Sequence, residues 1–161
     1  MRASVIFFVG VVAFAGCAPA ASTLPSKAPV PTAAPLAVGE FTSHGVATTL
    51  DARGAGESVS GTMTMSDSGQ NATVALECSR ATDSGLLMIG GLVTASTFTE
   101  WFPKGHRVAI VLKRGSPVEA IWYVVLPGDK PIESCPVLLK DHLTEPLDGL
   151  EPIEGTVQLG S

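Results

Sequence analysis

Apolar and polar positions alternate with a period of two through much of the chain after residue 58. Val59, Gly61, Met63 and Met65 stand against Ser60, Thr62 and Thr64; after Ser66-Asp67-Ser68-Gly69, the alternation resumes as Ala72, Val74, Leu76 and Cys78 against Asn71, Thr73, Ala75 and Glu77. Successive side chains of an extended chain point to opposite faces, so this pattern predicts a β-hairpin with a four-residue loop, one face apolar and the other hydroxylated. Residues 86–93 are apolar throughout and are interrupted only by Gly90-Gly91. Such a run predicts a central strand buried on both faces, with a bulge or sharp bend where side chains are missing.

A second hairpin follows from Val108, Ile110 and Leu112, the breaker Arg114-Gly115-Ser116-Pro117, and residues 118–126 with Trp122 and Tyr123. Residues 41–50 give a weaker first strand and residues 155–159 a last one, for seven candidates. Helix is confined to a turn or two at 137–143, between Pro136 and Pro146. The expected fold is therefore all-β: an antiparallel barrel or sandwich of about seven strands with at most one short helix.

The first residues carry a different pattern. Behind Arg2, residues 5–15 form an unbroken apolar run that ends in Phe14-Ala15-Gly16-Cys17, the arrangement of a secretory leader. The ending resembles a bacterial lipobox, departing from it in having Phe14 where Leu is usual. That resemblance implies a signal peptide over 1–16, cleavage before Cys17, and acylation of Cys17, which anchors the chain on the outer side of the cell membrane. The alternative is an ordinary secretory peptide cut after Ala18-Pro19-Ala20, and both readings export the chain. A transmembrane helix is excluded by length, because a span needs ~20 apolar residues and Cys17, Pro19 and Pro25 interrupt the run. Residues 17–38 then read as a lipidated start followed by an Ala/Pro-rich tether that cannot bury enough apolar surface to order itself. Residues 39–161 are the expected β-domain.

Charge narrows the partners. The 161 residues hold 10 basic and 15 acidic side chains, and loss of Arg2 with the leader takes the formal charge from −5 to −6. An acidic chain without a basic patch is a poor ligand for nucleic acid or anionic headgroups, so no nucleic-acid partner is expected and membrane contact falls to the acyl chains. With Cys17 assigned to lipid, Cys78 and Cys135 remain as an even pair in an oxidising compartment, which favours a disulfide.

The middle of the chain, with Gly61, the Leu76-Glu77-Cys78 strand end, Gly85, Gly91 to Val93, the strand 108–115 and the late Cys135, resembles a small secreted β-domain of high-G+C Gram-positive bacteria. It departs from that group at Lys113-Arg114. The resemblance implies a fold type and no particular activity.

Candidate chemistry is sparse. His44, His106 and His142 lie in separate segments without metal-ligand spacing, and Met63-Thr64-Met65, although it has the spacing of copper binders, falls on the apolar face of a strand. No serine sits in a nucleophile elbow, and the acidic tail 145–154 reads as a solvated loop because of Pro146 and Pro152. No metal or cofactor is expected. Phe98, Trp101 and Phe102, in the loop 96–105, are the remaining feature: a recognition tip, or a lid on the end of the barrel. The expectation is a non-catalytic envelope module for a protein, a glycan or a small apolar molecule. The alternative is an enzyme with a site assembled from scattered polar residues.

Overall fold

His44 (φ 49°) and Gly45 (φ 79°) both adopt the left-handed backbone region inside the run expected to be a single first strand. Two successive positive φ values make the tight turn whose twist matches that of flanking strands, so the run is a hairpin rather than one strand. The computed structural model describes residues 33–124, 132–143 and 147–160. The expected leader over 1–16, Cys17 and residues 125 and 126 lie outside the described residues.

Nine strands form one antiparallel sheet: β1 (Pro35–Ser43), β2 (Val46–Arg53), β3 (Ser60–Asp67), β4 (Gln70–Ala81), β5 (Leu86–Ser96), β6 (Arg107–Lys113), β7 (Glu119–Val124), β8 (Glu151–Pro152) and β9 (Glu154–Leu159). Neighbours run in the order β8-β7-β6-β5-β4-β3-β2-β1-β9. Only Ile153 separates β8 from β9, and its N–H donates to Val118 O at 3.0 Å. There the chain leaves β7 and joins β1, drawing the two ends of the sheet together into a nearly closed barrel. The acidic tail is thus no solvated loop over its last part: Glu151 and Pro152 pair with β7, and Glu154 opens β9. The range expected for a tether, 17–38, overlaps the sheet at its end, since β1 begins at Pro35 and Ala37 is fully buried. A proline at the first position of a strand removes no bond from the ladder interior.

Inward-facing side chains fill the barrel: Phe41, Leu50, Met63, Met65, Val74, Ile89, Val93, Ile110 and Leu112 are all buried together. This places both methionines in the core, as the alternation of β3 requires. A second apolar layer lies outside β4, β5 and β6, where Cys78, Met88, Ala109 and Val111 meet Cys135, Leu138, Leu139 and Leu143. β5 is therefore covered on both faces, which explains its unbroken apolar run.

Cys78 reaches the outer layer through a bulge. Leu76 pairs with Gly91 and Cys78 with Gly90, so Glu77 is the extra residue and the side chains after it change face. Alternation alone puts Cys78 inward with Ala72, Val74 and Leu76. The bulge turns it outward, where it forms a disulfide with Cys135.

The covering segment is the short helix. α1 (Cys135–Val137) continues as a single π turn, Leu138–His142. It starts there because Ser134 Oγ accepts the Val137 N–H at 3.4 Å and Pro136 occupies the first turn, where no N–H is needed. Arg80 donates to Leu139 O at 3.1 Å near its far end. Arg107 binds the Glu77 carboxylate, donates to Ile132 O at 3.2 Å, and so ties the bulge to the chain leading into the helix. Disulfide and arginines together fasten this segment onto the sheet.

Candidate binding site at one end of the barrel

In an antiparallel meander, alternate connections gather at one end. The turn at His44-Gly45, the turn at Ser68-Gly69 and the loop 97–106 share one such end. The loop is held at both of its bases. Thr97 N–H donates to Asn71 O at 2.8 Å and Asn71 N–H to Thr97 Oγ1 at 2.9 Å; at the other base, Gly105 N–H donates to Val93 O and Val93 N–H to His106 O, each at 2.9 Å.

Between the bases the chain makes one helical turn. Phe98 N–H donates to Ser96 Oγ at 2.9 Å, and Phe102 N–H donates to Phe98 O at 2.8 Å. Residues four apart on such a turn project the same way, so both phenylalanine rings point into the barrel. Phe98 is 7% and Phe102 4% exposed, and their rings meet edge to face at 5.2 Å between centroids. Phe102 also meets Trp122 of β7 edge to face at 6.2 Å. Trp101, on the opposite side of the turn, is 53% exposed and is the one large exposed hydrophobic residue among those described. The three aromatics thus divide: two form a lid on the core, and one stands out as a tip.

Beside Trp101 runs a groove of about 460 Å³, lined also by His44, Asp67, Phe98, Phe102, Ile121 and Trp122. Its volume falls within the range of small-molecule sites. Trp122 faces inward beside Val124, and its Nε1 is buried without a hydrogen-bond partner among the described residues. Asp67 Oδ1 accepts from Ser68 Oγ at 2.8 Å. His44 is fixed as part of the wall, with Nε2 3.3 Å from Ala120 O and Nδ1 3.3 Å from Glu151 Oε2. Both contacts bind the β1–β2 turn to β7 and β8 across the barrel seam.

Sequence reasoning does not mark Trp122, His44 or Asp67 as parts of one site. Strand parity holds the signal for Trp122, since Ile110 pairs with it and faces inward. His44 and Asp67 belong to turns, and nothing in their local spacing brings them together.

The other candidates do not gather. His44 lies in the β1–β2 turn and His106 precedes β6, while the side chain of His142 lies outside the described residues. Among the described residues no group of three or more His, Cys, Asp and Glu could hold a metal ion. A shallow depression of about 490 Å³ lies over β1–β4 and carries Thr42, Thr49, Thr64 and Thr73, the hydroxylated face expected from the alternation, with no exposed aromatic residue. No protein-family model, no curated protein and no solved structure matches this chain.

Proposed function

We propose that the chain is a lipid-anchored protein of the cell envelope, facing away from the cytoplasm, and that its barrel is a non-catalytic binding module that recognises its partner through the groove beside Trp101. The observation that carries this reading is the exposure of Trp101 on a loop clamped at both bases. An exposed large aromatic ring costs solubility and gives the fold little, while a ring already held in place loses little entropy when a partner covers it.

Three features support the address. Residues 14–17 resemble a lipobox, the Ala/Pro-rich stretch after Cys17 suits a spacer, and the Cys78–Cys135 disulfide suits an oxidising compartment. The filled interior bears on the kind of ligand. With Phe98 and Phe102 closing this end onto a packed core, an apolar molecule could not be carried inside the barrel, and recognition falls to the groove outside the lid.

Co-sedimentation with envelope material tests the proposal. The exported protein with Cys17→Ala, which cannot be acylated, should still be retained by isolated envelopes, and adding Trp101→Ala should abolish the retention at unchanged melting temperature. Equal retention with and without Trp101 would remove the groove as a recognition site.

A further inference from the structure

β9 is paired along one side only. Its register with β1 runs without a break from Glu154 opposite Thr42 to Leu159 opposite Ala37, and beyond it Gly160 N–H donates to Leu36 O at 2.8 Å. Bonds in an antiparallel ladder fall on alternate residues, so Glu154, Thr156 and Gln158 turn their backbone groups toward β1, while Gly155, Val157 and Leu159 turn theirs away. Ile153 has the same parity as these three, and its N–H does leave the ladder, for Val118 O. Past that contact the chain between β6 and β7 turns off through residues 114–117, and the outward groups of Gly155, Val157 and Leu159 bond no described residue. Val157 and Leu159 pack against the barrel core yet stay partly exposed, because the edge beside them is open.

Monomeric proteins blunt such edges with lysine, proline or a bulge. β9 has none of the three. What it carries is complementary to itself. A two-fold axis through Val157 lays a second β9 antiparallel to the first, so that Val157 faces Val157 and Gly155, which has no side chain, faces Leu159. The residues brought opposite each other are those whose backbone groups point outward, so they meet as hydrogen-bonded pairs. On the outer face the same rotation sets Glu154 opposite Gly160, whose carbonyl accepts from the Arg114 guanidinium of its own chain. Glu154 is exposed and enters no ion pair among the described residues. In this register it meets Arg114 of the other copy, and the symmetry makes that contact twice. An unrelated strand could answer the backbone groups, but a copy also matches the acid at one end of β9 and the base at the other. We infer that two copies of the chain associate through antiparallel β9–β9 pairing centred on Val157, with Glu154 of each bound to Arg114 of the other. The edge shares no residue with the groove beside Trp101, so the inference does not depend on what that groove binds.

Six paired residues on each side cover less than the roughly 1,200 Å² of a standard interface, so the dimer is weak, with a dissociation constant on the order of 100 μM. The exported full chain with Cys17→Ala, which needs no detergent, is followed by sedimentation equilibrium and hydrogen exchange from about 10 μM to about 1 mM, a range that brackets that constant. The mass should rise to that of two chains and no further. The amides of Gly155, Val157 and Leu159 should gain protection as concentration rises, while those of Thr156 and Gln158, already bound to β1, should not change. Glu154→Arg and Arg114→Glu should each weaken the dimer about tenfold by setting like charges opposite each other, and the two together should restore it. A chain that stays monomeric throughout overturns the inference. So does a dimer that ignores both reversals and leaves the three amides exchanging, since it forms elsewhere. Protection of those amides in the monomer would mean that the edge is covered within its own chain, and protection only on adding isolated envelopes would mean a foreign strand; either result overturns the second copy.

Discussion

Gly90 backs directly onto Cys135. A Cβ at Gly90 would lie 2.7 Å from Cys135 Sγ, closer than such atoms approach, so the disulfide occupies the space that a side chain on β5 would take. The glycine on one strand, the bulge at Glu77 on its neighbour and the bridge from the helix are one arrangement. Gly90→Ala should therefore lower stability by about 1–3 kcal/mol, as overpacking does. Combined with Cys78→Ala and Cys135→Ala, the same substitution should cost markedly less, and denaturant melts of the four variants in that cycle measure the coupling.

The bridge itself encloses a separation of 57 residues. Replacing both cysteines by alanine should lower unfolding free energy by about 4 kcal/mol, mainly by releasing the unfolded chain, and should leave membrane localisation unchanged. Urea unfolding with and without reductant gives the value.

Arg107 holds the chain entering the helix rather than the barrel. Its side chain is 14% exposed and is shared between Glu77 and the carbonyls of Ile132 and Glu133. Arg107→Met should cost about 2 kcal/mol, the scale of hydrogen bonds to a charged group. Hydrogen exchange should rise most at residues 132–143 and little in β1 to β3.

The anchor has its own test. In a Trp101→Ala background, where retention through the groove is removed, Cys17→Ala should move the protein from the membrane fraction to the soluble fraction, since residues 18–34 offer no apolar segment long enough to hold it. Fatty-acid labelling of the wild type and none of the variant is the accompanying result. A chain carrying both substitutions that stays in the membrane fraction would oppose the lipid anchor.

Much of the barrel is legible in the alternation of residues 59–78 and 108–124, because a side chain that flips face at each residue writes its burial directly into the sequence. What stays hidden depends on partners distant in the chain. The bulge that turns Cys78 outward is signalled on β5, by Gly90-Gly91, and not on the strand that bulges. The split of 41–50 into β1 and β2 rests on His44 and Gly45, two left-handed residues inside a run that otherwise reads as one strand. The β8–β9 switch turns on two adjacent strands pairing with opposite ends of the sheet, which two residues of β8 are too short to announce. At the site, the i, i+4 spacing of Phe98 and Phe102 already sets those rings on one side and Trp101 on another. Trp122 and Asp67 come to the same groove only through the closure of the barrel.

That division of the aromatics predicts opposite behaviour for neighbours in the loop. Phe102→Ala, which empties a core position under Trp122, should cost about 3–5 kcal/mol of stability. Trp101→Ala, at an exposed position, should change it by no more than about 0.5 kcal/mol. Thermal unfolding of the two variants separates lid from tip.

Native mass spectrometry of the protein taken from its own envelope tests the lipid-anchored binding module most directly. The chain should begin at Cys17, carry the mass of acyl chains there, be lighter by the two thiol hydrogens lost when Cys78 and Cys135 join, and bring a neutral adduct that disappears in Trp101→Ala. A chain that begins elsewhere without acyl mass, with free thiols at Cys78 and Cys135 and the same adducts in wild type and Trp101→Ala, would contradict it.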